Sequence, residues 1–193
     1  MPRKLSRMQR LVAGIGGALC AFAAVPGAAL AAECPVPVTA PVFAEFGDHN
    51  QYVLAPGGDF EGPLTWLKFG RVDLEHVNDP FGLAPGHHSL ELDRSGEMVT
   101  STSFCVDRTM PHMRFVAKGY GQLDVIVSVN YKGDSDSSSG SVSPDDHRSW
   151  APSRFIDLKT SSIRAGESAT AKVTFKSNGS WLIDNLFLDP YRR

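Results

Sequence analysis

The chain has 193 residues, with 19 basic and 21 acidic side chains and a formal net charge of −2. That balance, with no basic run or basic-aromatic stripe, argues against nucleic acid or an anionic membrane surface as a partner. Past the N-terminus no stretch is long and apolar enough to span a bilayer.

Arg3, Lys4, Arg7 and Arg10 precede an apolar stretch, Leu11 to Val25, which Pro26 and Gly27 break. Ala29-Leu30-Ala31 then fits the small-x-small cleavage pattern, so residues 1–31 are read as a signal peptide. Glu33 stands before Cys34 where a lipid anchor needs a small residue, so the processed chain is expected to be released, extracellular or in the cell envelope. It keeps 15 basic and 21 acidic residues, a net charge of −6. Its length suits one domain with one core. Residues 32–50 read as an N-terminal tail and 51–193 as the domain.

Short runs of Val, Ile, Phe and Thr, separated by Gly, Pro, Asp and Asn, predict an all-β domain. The predicted strands are Val42–Phe46, Tyr52–Ala55, Leu64–Phe69, Val72–Val77, Ser89–Leu92, Met98–Val106, His112–Lys118, Leu123–Tyr131, Ser153–Leu158, Ala169–Ser177 and Ser180–Leu188. That many short strands in one domain imply a two-sheet sandwich of jelly-roll type. Lys132–His147, rich in Ser, Asp and Gly, reads as a mobile surface loop. Asp134, Asp136 and Ser138 mimic the start of a calcium loop but lack its Gly and its flanking helices. Two cysteines remain after processing, Cys34 and Cys105. In an exported protein they are expected to pair and staple the tail to the body. Two free thiols are the alternative.

Asn178-Gly179 is a two-residue hairpin signal. Counting around such a turn places Ala171, Val173, Phe175, Leu182, Asp184, Leu186 and Leu188 on one face. Lys172, Thr174, Lys176, Trp181, Ile183, Asn185 and Phe187 take the other. Asp184 would then point into the core, where it needs a cation, a basic partner such as Arg71 or Arg114, or several N–H donors.

"GGDFEGPLTW" (Gly57–Trp66) resembles the turn and Trp that open carbohydrate-binding modules of the galactose-binding-like jelly-roll type. "PGHHSLEL" (Pro85–Leu92), "MRFVAKGYGQLDVIVSVNY" (Met113–Tyr131) and "GSWLIDNLFLD" (Gly179–Asp189) resemble the later strands, in the family's order. The resemblance implies that Glu61 and Asp184 hold a structural Ca²⁺, with Asp79 as a third ligand. Hard oxygen donors suit calcium.

Glycan recognition needs flat rings beside hydrogen-bonding groups. Trp181, Trp150 and Tyr120 are the candidates: Trp181 as an exposed platform, Trp150 at a loop hinge or packed inward, and Tyr120 in an exposed turn. Trp66 reads as core. No nucleophile elbow, zinc-protease motif, phosphate loop or dinucleotide fingerprint is present. Adjacent His87 and His88 would face opposite ways on a strand, which argues against a shared metal. The expectation is a non-catalytic, exported module binding glycan or envelope polysaccharide. The alternatives are a structural or protein-interaction sandwich without a sugar site and a small glycan-active enzyme.

Overall fold

The computed structural model describes residues 34–190 apart from 36 and 37. The expected signal peptide, residues 1–31, and its cleavage point lie outside the described residues. Eleven strands run in order: β1 (Val53–Leu54), β2 (Leu67–Phe69), β3 (Val72–Glu75), β4 (Ser89–Leu92), β5 (Met98–Thr100), β6 (Phe104–Asp107), β7 (His112–Tyr131), β8 (Asp134–Val142), β9 (Ala151–Pro152), β10 (Ile156–Asp157) and β11 (Ser168–Asp189). The only helical pieces among the described residues are short 3-10 turns, so the fold is all-β. Val42–Phe46, expected as a strand, is such a turn over Ala44–Phe46.

The spine is an antiparallel ribbon of β7 and β11, paired from Thr170↔Asn130 to Asp189↔His112. The free edge of β11 takes β6, β5, β4 and β1 in turn. From these, β2 extends beyond β5 and β3 beyond β4. The other edge of β7 takes β8, then β9 and β10. The sheet folds over one main core, in which Val125, Val127, Val173, Phe175 and Trp181 point inward from the ribbon. Trp66 lies in that core, as expected, with its ring parallel to Phe175 at 6.3 Å. A second apolar cluster, Phe43, Tyr52, Val116 and Phe187, sits where the tail crosses the ribbon. Cys34 and Cys105 form a disulfide across 71 residues. Chain entropy alone gives such a loop about 4 kcal/mol. It ties the tail to β6, as expected.

Asn178-Gly179 is not a hairpin turn. β11 runs straight through it, as β7 runs through Gly119–Gln122, which sequence divides into two strands. Gly179 pairs with Gly121. A Cβ on Gly179 would lie 2.0 Å from the Tyr120 carbonyl oxygen, and one on Gly121, which has φ +79°, would lie 2.4 Å from that of Asn178. These glycines let two backbones meet at a bend. The motif that predicts a turn between neighbouring strands serves here as a close approach within one ribbon.

Lys132–His147 is not a mobile loop either. Lys132 and Gly133 carry φ of +54° and +90°, as a two-residue hairpin turn requires. β8 then returns along β7 over nine residues. Its Ser and Asp side chains suit an edge, where apolar residues would invite a further strand. Met98–Val106, expected as one strand, breaks at Ser101. The Ser101 N–H donates to the Val173 carbonyl, and the Ser101 hydroxyl oxygen accepts the Val173 N–H at 2.9 Å.

Candidate functional site: an open sheet face and a buried acid group

Residues directly opposite in an antiparallel ladder project to the same side. Leu67, Thr100, Thr174, Ile126 and Ser139 therefore form one row across β2, β5, β11, β7 and β8. Phe69, Met98, Lys176, Asp124 and Ser141 form a second row on the same side. Asn178 beside Gln122 and Ser180 beside Tyr120 continue the face along the ribbon. The intervening positions Val99, Val125, Val127, Val173 and Phe175 are fully buried, so the two rows face solvent.

Three large side chains stand open here: Leu67 at 76%, Phe69 at 67% and Tyr120 at 65% exposure. Between them lie polar groups with fixed heads. The Gln122 and Asn178 side-chain amides both donate to the Asp124 carboxylate. The Thr100 and Thr174 hydroxyls meet at 2.8 Å. Two depressions follow the ribbon, one of about 470 Å³ beside Tyr120, Lys118 and Arg148, the other of about 420 Å³ beside Gln122, Asp124 and Lys176. A third, of about 630 Å³, shares Ser139, Gly140 and Ser141 with the second and reaches Arg154 and Phe155. The surface therefore continues over the edge strand.

Of the three aromatic candidates only Tyr120 is on this surface. Trp181 is 0% exposed, opposite Gly119, with its ring centroid 6.0 Å from that of His147. The expected platform fails with the hairpin. Six residues along one continuous strand return Trp181 to the same side as Phe175, whereas a turn at Asn178-Gly179 would have put them on opposite sides. Trp150 is half-buried against the second apolar cluster. Phe69 is the aromatic that sequence reading leaves out. Its signal is the short strand β2, all three of whose residues, Leu67, Lys68 and Phe69, are exposed.

Asp184 is 0% exposed, but on the side opposite the one expected. It pairs with Val116 of the second cluster, and β11 bulges just after it at Asn185, φ +51°. Its carboxylate accepts the Asp79 N–H at 3.0 Å and the Asn185 N–H at 2.8 Å. Asp79, also buried, accepts the Phe81 N–H at 2.7 Å and the Asn185 side-chain amide. Burial pushes the Asp184 carboxyl up to about 7. The two N–H donors pull it down, while the negative charges of Asp79 and Glu61 add to the rise.

Glu61 stands within electrostatic reach of Asp184, but its oxygens are turned elsewhere. Oε1 accepts the His87 and His88 N–H groups, each at 2.7 Å, and Oε2 lies 3.2 Å from His88 Nδ1. Burial raises its carboxyl, and these contacts outweigh that and hold it below the usual range. The described residues contain no group of three or more His, Cys, Asp or Glu assembled to hold one metal ion. Asp79 and Asp184 are two buried carboxylates, oxygen donors of the type a hard cation takes. Neither Arg71 nor Arg114 pairs with Asp184. Arg114 donates instead to Asp48, at 2.6 Å.

No known family's sequence profile matches the chain, and no curated protein matches it. Solved structures with a similar chain course include a family 61 carbohydrate-binding module in complex with β-1,4-galactotriose, at 19% identity over 69% of this chain and 91% of that one, TM-score 0.39. A family 11 module from Clostridium thermocellum, in complex with a β-1,3-1,4-mixed-linked tetrasaccharide, is 15% identical over 72% of this chain and 95% of that one, TM-score 0.43. The C-terminal family 22 module of Clostridium thermocellum Xyn10B is 16% identical over 75% and 97%, TM-score 0.42.

Proposed function

We propose that the chain is an exported, non-catalytic module that binds a glycan across the open face of the β7–β11 ribbon. The observation that carries this reading is the face itself. Exposed Phe69 and Tyr120 flank Asp124, Gln122, Asn178 and Lys176 on the solvent side of the ribbon. Sugars bury their C–H faces on flat rings and exchange hydrogen bonds with such fixed polar groups. Tyr120 and Asp124 are four residues apart on β7, about 13 Å at strand rise, room for more than one sugar ring.

A structural Ca²⁺ belongs to the same proposal, held by Asp79 and Asp184 with carbonyl oxygens completing the shell. Glu61, the third ligand the resemblance implies, contributes only its charge while it faces His87 and His88. The ion would supply counter-charge to the acid pocket and tie loop 77–88 to the end of β11.

The test is retention on a panel of soluble and insoluble polysaccharides, followed by calorimetry on the best ligand. Tyr120→Ala and Asp124→Ala are expected to weaken binding at least tenfold, and Trp181→Phe, buried, to leave it unchanged if the variant folds. No retention on any glycan would favour a protein-interaction module using the exposed Leu67 and Phe69. Release of shortened sugars in the same incubations would establish an enzyme instead.

A further inference from the structure

His76 follows β3 and His87 and His88 precede β4, so the three histidines flank loop 77–88. His76 Nδ1 lies 3.4 Å from His88 Nε2. The His76 ring centroid is 5.0 Å from that of His88 and 6.0 Å from that of His87. The strand alternation that would separate 87 from 88 does not apply, because β4 begins only at Ser89. Both backbone N–H groups turn instead to the same Glu61 oxygen.

Glu61 also sets the chemistry of the pair. With His88 Nδ1–H donating to Glu61 Oε2, the tautomer follows from the partner, and Nε2 of the neutral ring keeps its lone pair. That lone pair faces His76 Nδ1. A separation of 3.4 Å is longer than an ordinary hydrogen bond to a ring nitrogen. It is the spacing of two ligands on one tetrahedral ion: with metal–nitrogen bonds of about 2.0–2.1 Å, neighbouring nitrogens stand about 3.3–3.4 Å apart. A carboxylate holding the far nitrogen of a ligating imidazole is a common supporting arrangement in metal sites. His76 and His87 are exposed, and the His88 side chain is 36% exposed, so an ion can reach the pair.

We propose that His76 and His88 bind an imidazole-preferring divalent transition metal, Zn²⁺ or Cu²⁺, with His87 joining by side-chain rotation and water completing the shell. Such a metal selects nitrogen donors, so this site is distinct from the oxygen pocket at Asp79 and Asp184. It bridges the two ends of loop 77–88. The inference does not depend on glycan binding.

The experiment is titration of the untagged chain with ZnCl₂ by calorimetry, and with Cu²⁺ by electron paramagnetic resonance, for wild type and single variants. Saturable binding of one ion per chain is expected, with nitrogen coupling in the Cu²⁺ spectrum. His76→Ala and His88→Ala should each weaken it at least tenfold. Glu61→Gln should weaken it roughly ten- to hundredfold, and His87→Ala by less. His49→Ala is the control and should bind as wild type does. Thermal melts check that each variant is folded, and exposed His76 keeps the test decisive if Glu61→Gln is not. Absence of saturable binding, or equal binding by wild type, His76→Ala and His88→Ala, overturns the proposal.

Discussion

The β7–β11 ribbon has two halves whose outer faces meet different surroundings. Around Ile126, Asp124, Thr174 and Lys176 the outer face is open to solvent. Around Val116, Asp184 and Phe187 it lies under the tail and loop 77–88, packed against Phe43, Tyr52, Phe81 and Trp150. The same backbone ladder runs through both. What differs is the cover, and the cover decides what the sequence looks like. Ala169 to Ser177 alternates buried and outward side chains, as a strand with one wet face must. Trp181 to Asp189 is nearly continuous in burial, because both its faces are dry. An acid is unremarkable in the first half and conspicuous in the second.

Loosening the cover should be damaging. Arg114 on β7 holds the tail through Asp48 at 2.6 Å, and its guanidinium lies 4.5 Å from the centre of the Phe43 ring. Each side chain of the pair is only 12% exposed. Breaking a fully buried pair costs roughly 3–5 kcal/mol, so Asp48→Ala is expected to cost about 2–4 kcal/mol in denaturant unfolding. Burial raises the Asp48 carboxyl, but the Tyr52 hydroxyl, the Asn50 N–H and Arg114 outweigh it and hold it below its ordinary 3.8. With the folded pKa depressed, this stabilisation is complete above that ordinary value and is lost as pH falls through the lower folded one. Wild type should therefore lose stability below pH 4 more steeply than Asp48→Ala. Parallel acid limbs would mean that the Asp48–Arg114 pair does not stabilise the fold.

Asp184 behaves with the opposite sign. Its folded pKa, about 7, lies above its ordinary 3.8. The stability tied to its protonation is complete below the unfolded value and declines as pH rises toward 7. In chelator at pH 8, Asp184→Asn should stabilise the fold by on the order of 2 kcal/mol, less than the full shift implies because the amide keeps one acceptor oxygen. At pH 4 this gain should vanish. Millimolar Ca²⁺ should raise the wild-type Tm at pH 8 and leave the variant unmoved. A wild type indifferent to calcium would leave the acid pocket metal-free.

The two halves were also unequally legible in the sequence. The β pattern, the buried Trp66 and the paired cysteines follow from local composition and chemistry, whereas Asp184 is buried on the side opposite the one a turn at Asn178-Gly179 implies. The ribbon does not, because Asn178-Gly179 carries the same letters whether glycine supplies a turn or a close approach. Choosing the turn inverted one half relative to the other and moved Trp181 from core to surface. β8 was hidden for a related reason. An edge strand has little to bury, so its Ser and Asp residues read as loop. The open face was missed with it, since its rows cross strands far apart in sequence and exist only once the register is known.

The smallest stability effect should come from the open half, where the change in function is largest. Tyr120 stands 65% exposed on the solvent side of the ribbon, opposite Ser180. Removing its ring leaves no cavity and no buried polar group without a partner, so Tyr120→Ala should shift unfolding by no more than about 0.5 kcal/mol. If the ring is a sugar platform, the same change removes an aromatic contact made only in the complex, and affinity falls at least tenfold with Tm almost unmoved. Trp181→Ala should reverse both signs of evidence: a loss of about 3–5 kcal/mol from the core, with any binding that survives near wild type. A Tyr120 variant that loses stability and binding together would mean the face is structural, and the division between an open, functional half and a covered, structural half would fail.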